Sequence, residues 1–88
     1  MPIQPLPRLI WIDDSDRLLR QYVAYRHGAP AGTIYLCDWG PQKGNWYWAG
    51  GFPDDFRGSP TMPNCGYEDT PLAAALRVEQ YWRDNGGT

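Results

Sequence analysis

The sequence predicts an α+β domain: an antiparallel meander of three to four strands with one C-terminal helix packed across one face. Three observations carry this expectation. Short β-branched and aromatic runs recur at residues 8–12, 20–26, 33–39 and 46–49, with turn-forming residues between them. The stretch Asn45-Trp46-Tyr47-Trp48-Ala49-Gly50-Gly51 runs three consecutive aromatics into a glycine pair and reads as the central strand. From Thr70 onward the chain has the capping chemistry and the periodicity of an amphipathic helix.

The first seven residues hold Pro2, Pro5 and Pro7, which predicts an extended, polyproline-like tail; residues 8–88 form the single α+β domain. Arg8-Leu9-Ile10-Trp11-Ile12 suits a short strand. Asp13-Asp14-Ser15-Asp16 is a turn by composition, because these side chains hydrogen-bond their own backbone. Residues 17–26 fit two patterns. As a helix they would use Ser15 as N-cap and stack Leu18, Leu19, Tyr22 and Val23. Tyr, Val and Tyr in close succession favour a strand from about Arg20, with Gly28-Ala29-Pro30-Ala31-Gly32 as the hairpin connection.

Thr33–Trp39 is the next strand, residues 40–45 turn the chain, and Trp46–Ala49 returns. Pro53–Asp69 is a 17-residue connection with three prolines, two glycines and no periodicity; loops of that length in compact domains are usually functional or disordered. In the final element Thr70 is the N-cap and Pro71 takes the first helical position, where its missing N–H costs nothing. Ala74, Ala75, Val78, Tyr81 and Trp82 form one stripe, with Arg77, Gln80 and Arg83 opposite.

Regular hairpins centred on Ala29-Pro30 and on Gln42-Lys43 would give the sheet two unlike sides. Val23, Tyr25, Ile34, Leu36, Tyr47 and Ala49 would lie beneath the helix. Tyr22, Ala24, Arg26, Tyr35, Cys37, Trp39, Trp46 and Trp48 would share the other side. Either these rings complete the core beneath residues 9–12 and 52–56, or they form a contact surface, since Trp, Tyr and Arg are enriched at binding hot spots. The candidate partner-binding residues are Arg26, Tyr35, Trp39, Trp46 and Trp48, helped by Phe56 and Arg57 from the long connection.

Charge narrows the partner. Ten acidic and eight basic residues leave a net charge of −2, without the basic excess of a protein that neutralises phosphates. No run reaches the roughly 18–20 apolar residues of a membrane span, and the N-terminus lacks the pattern of a signal peptide. The expected compartment is the cytoplasm, with Cys37 and Cys65 as reduced thiols. A cysteine enzyme using His27 would need a thiol about 3 Å from the imidazole. The expected register instead puts Cys37 roughly 13–17 Å away along the strand, while Cys65 falls in the unplaced connection. The acidic clusters Asp13-Asp14-Asp16 and Asp54-Asp55 lack the spacing and closing glutamate of a calcium loop. No glycine loop for nucleotides and no zinc-ligand spacing occurs, so no cofactor or metal is expected.

From Phe52 the order of signals resembles a known family. Phe52-Pro53-Asp54, then Gly58, Gly66, Asp69 and Thr70 before an alanine-rich amphipathic helix, is similar to the N-terminal domain of HicB-type antitoxins. The resemblance covers about a third of the chain. Tyr67 and Glu68 separate Gly66 from Asp69, and Leu72-Ala73 stand where that family has an acidic pair. It implies a β-β-β-α plan and a non-catalytic protein that masks a toxin partner. In size and style the chain also resembles accessory proteins of phages and mobile elements, including inhibitors of host defence complexes. The expected function is therefore a protein-binding module. Single-stranded nucleic-acid binding through the same rings, a small cysteine enzyme, and burial of the aromatic side by a second copy remain as alternatives.

Overall fold

The computed structural model describes residues 7–88. The proline-rich tail, apart from Pro7, lies outside the described residues. Along the chain come β1 (Ile10–Asp13), β2 (Gln21–Arg26), β3 (Ala29–Leu36), β4 (Trp46–Gly50), β5 (Cys65–Glu68) and α1 (Pro71–Asp84). The strands form one antiparallel sheet in sequence order, a five-stranded meander. This is the α+β plan read from the sequence, with one strand more.

The additional strand is β5, which the sequence reading left inside the long connection. Its four residues, Cys65-Gly66-Tyr67-Glu68, are too short and too mixed to show alternation. They pair because β4 offers an edge: Gly66 lies opposite Trp48, and a Cβ at Gly66 would fall 2.9 Å from the Trp48 indole nitrogen. β1 starts at Ile10 rather than Arg8, since the Arg8 and Leu9 amides donate to Glu79 on α1. Residues 21–26 are the strand favoured above, and Ser15 caps no helix. Its Oγ instead accepts from Gln21 N at 2.9 Å. Asp13 and Asp16 bond backbone amides two or three residues on, as their turn composition predicts.

Both hairpin registers differ from expectation, and both by an odd number of residues. The β2–β3 turn is His27-Gly28, with Arg26 opposite Ala29 and φ values of 52° and 79°. Two successive positive φ angles give the tight turn whose twist matches the flanking strands. The sequence reading centred this turn two residues later, and a bulge next to Ala24 and Tyr25 shifts the pairing once more, to Tyr22 opposite Ile34. The β3–β4 connection is centred on Pro41, which sets Leu36 opposite Trp46 and Ile34 opposite Trp48.

An odd slip reverses which residues share a side. The helix does cover Ile34 and Leu36, as expected, but Tyr22, Ala24, Trp46 and Trp48 come with them. The core is Ala24, Ala31, Ile34, Trp46 and Trp48 from the sheet against Ala74, Ala75, Val78, Tyr81 and Trp82 from the helix, the stripe read from the sequence. Thr70 Oγ1 accepts from Ala73 N at 3.1 Å, Pro71 opens the helix, and Asn85 with Gly86 (φ 91°) closes it.

Two features bring α1 close to the sheet. A Cβ at Gly50 would lie 2.5 Å from Tyr81, so glycine there lets the ring seat against β4. Glu79, 2% exposed, is the second. It accepts from Arg8 N, Leu9 N and the Trp11 indole at 2.8–3.0 Å, tying the segment entering β1 to the helix. Asn85 ties the other end: its side chain donates to Tyr81 O and Thr61 Oγ1 and accepts from Thr61 N, anchoring the 51–64 connection.

Candidate functional site

The seven candidate residues fall in four places. Trp46 and Trp48 are 7% and 5% exposed and lie under α1. The expectation of an open face around these two indoles is thereby corrected: as core residues they offer no surface to a partner. Arg26, of the same side of β2, lies at the helix end beside Glu79 and Arg83. Phe56 packs edge-on to Phe52 at 5.7 Å and against Gly86 beyond the end of α1, with Arg57 exposed next to it. Tyr35 and Trp39 remain, and these two belong to the side of the sheet that the helix leaves bare.

On that side the register lines up Tyr35, Tyr47 and Tyr67 on adjacent positions of β3, β4 and β5. Their rings touch in sequence, with centroids 4.8 Å and 5.5 Å apart. The neighbouring row runs Ile12, Val23, Thr33, Ala49 and Cys65, and Ile10 and Ile12 are both exposed. Trp39, 81% exposed, stands on the connection after β3. It borders a hollow of about 220 Å³ lined also by Tyr35, Cys37, Pro41 and Tyr67. Tyr47 and Tyr67 were missed by the sequence reading, which put one under the helix and the other in a loop. The signal for Tyr47 was its place between Trp46 and Trp48: whichever side takes the indoles, the phenol takes the other.

Two phenols of the row, Tyr47 and Tyr35, hold their protons more tightly than usual. A hydrogen bond with the Cys65 thiol, then burial, then the neighbouring Cys65, Tyr35 and Tyr67 push the Tyr47 phenol up to about 12. Burial, followed by Cys37 and Tyr67, raises Tyr35. Each ring of the row presents an apolar body and a hydroxyl tip, which suits a surface that is neither purely greasy nor charged.

Other chemistry finds little geometry. His27 sits in the β2–β3 turn and Cys37 just beyond the far end of β3, roughly 30 Å away at the usual rise. Cys65 pairs opposite Ala49, which pairs opposite Thr33, so it stands two strands over from β3 and several residues along from that turn. Both cysteines are free. Among the described residues no group of three or more His, Cys, Asp or Glu gathers to hold a metal, and no helix is long and apolar enough to cross a membrane. No protein-family model matches the chain, and neither the curated proteins nor the solved structures provide a match.

Proposed function

We propose that the chain is a non-catalytic protein-binding module that masks a partner, as an inhibitor or antitoxin does, through the uncovered face of its sheet. The observation that carries this reading is the Tyr35–Tyr47–Tyr67 row on a side bare of helix, flanked by exposed Ile10, Ile12 and Trp39. Tyrosines supply large, stiff contact area with a hydrogen-bonding tip, the composition of binding hot spots. A net charge of −2 favours a protein over a polyanion. Inhibition of a host defence complex by a phage or mobile-element product is one form such masking takes, with the cytoplasm as its setting.

The test is capture of a partner from the native host, repeated with Tyr67→Ala and Trp39→Ala. Capture that falls at least tenfold while the melting temperature holds supports the reading. Undiminished capture by both variants overturns it. A salt titration decides between classes of partner, because an affinity dropping several hundredfold between low and physiological salt would point to nucleic acid instead.

A further inference from the structure

We propose that Arg8, Arg26 and Arg83 form a binding site for a compact oxyanion of the phosphate class, inorganic phosphate or a small phosphate monoester. The three residues come from the segment before β1, the end of β2 and the last turn of α1, and they line one hollow of about 170 Å³ with Leu9, Glu79 and Thr88. It lies on the helix side of the sheet, away from the tyrosine row, and is independent of the function proposed above.

None of these three arginines is in an ion pair among the described residues. Among the described residues the only ion pair is Arg77 with Glu68, at 2.7 Å. Residues 1–6 contain no Asp or Glu that could supply another. Glu79 is the one side-chain carboxylate lining the hollow, and its two oxygens already take four contacts from the Arg8 and Leu9 amides and the Trp11 indole. Arg83 spends one Nη on Gln80. Arg26 Nε is buried without an acceptor, a cost that a ligand oxygen reached by a small turn of this side chain would remove. Three arginine residues line the hollow with Glu79 as its one acidic residue, in a protein that is negative overall. The carbonyl of Trp82, at the negative end of the helix, is capped by Asn85 N and Gly87 N.

Size and geometry select the ligand. Pockets for nucleotide- or drug-sized molecules run to about 300–1,000 Å³, so this hollow takes a phosphate group and little more. The planar guanidinium fork of arginine matches the oxygens of a tetrahedral anion, which it binds in bidentate fashion.

The experiment titrates inorganic phosphate into the isotopically labelled protein at constant ionic strength set by chloride, following backbone amide resonances. The expected result is a saturable response centred on Arg8, Leu9, Arg26 and Arg83. Arg83→Ala should weaken binding about tenfold or more, and Arg77→Ala, on the same helix, should leave it unchanged. Arg26→Lys, which keeps the charge but loses the fork, should also weaken it. A response that never saturates, or one equal in wild type and Arg83→Ala, overturns the proposal. So does one spread over Arg17, Arg20 and Lys43. Glycerol 3-phosphate in a parallel titration tells a monoester site from one for the free ion.

Discussion

Glu79 on α1 accepts a hydrogen bond from the Trp11 indole at 3.0 Å, joining two residues 68 positions apart. The same carboxylate takes the Arg8 and Leu9 amides. A buried carboxylate is tolerable only when donors replace the water it has lost, and here three groups do so. The helix thereby holds the first strand of the meander, whose one strand neighbour is β2.

Glu79→Ala would strand those donors. It should cost about 2–4 kcal/mol, and thermal unfolding should show a drop of at least about 8 °C for a domain of this size. Glu79→Gln, with one acceptor oxygen and an amide facing N–H groups, should recover little. A change below about 3 °C for Glu79→Ala would mean the clasp contributes nothing to the folded state.

The two classes of tryptophan should separate cleanly. Trp48→Ala empties a core site and should lose about 3–5 kcal/mol, whereas Trp39→Ala, at an exposed position, should stay within about 0.5 kcal/mol of wild type. Chemical denaturation of the two variants is sufficient. Equal losses would move Trp39 into the core or Trp48 out of it.

Helix–sheet contact depends on the missing side chain at residue 50. Gly50→Ala places a methyl where Tyr81 now sits, and the overpacking should cost about 1–3 kcal/mol. Gly50→Ala combined with Tyr81→Leu should lose less than the two single changes summed, because the second change makes room for the methyl. Additive losses would show that the ring and the glycine do not share that space.

The Tyr47 phenol, pushed up to about 12 from an ordinary 10, makes stability depend on alkaline pH. The folded state holds the proton more tightly than the unfolded chain. Its stabilising effect is therefore complete below about pH 10 and is lost as pH rises toward 12. Spectrophotometric titration should find one tyrosine ionising near the top of this range. Cys65→Ala, which removes the largest cause, should bring that step down. Six tyrosines ionising together near pH 10 would contradict the arrangement.

Much of this fold is legible in the amino-acid sequence. Thr70, Pro71 and the Ala74–Trp82 stripe specify α1 because a helix is local: cap, first turn and periodicity lie within a few residues of one another. Strand composition was legible for the same reason, and so was the turn at Asp13–Asp16. β5 was not, since Cys65–Glu68 has no pattern of its own and is extended only because β4 lies alongside.

What the chain by itself determined, then, is that three or more strands and one terminal helix exist, and that Trp46 and Trp48 face opposite to Tyr47. Which of those two sides meets the helix was decided by tertiary structure. That choice turned on the position of the His27-Gly28 turn, a bulge next to Ala24 and the length of the connection around Pro41. In a pleated strand the side-chain period is two, so an odd slip at a turn exchanges core for surface. The indoles went inward, where they bury apolar area against α1, and Tyr35, Tyr47 and Tyr67, whose hydroxyls tolerate water, were left on the face bare of helix.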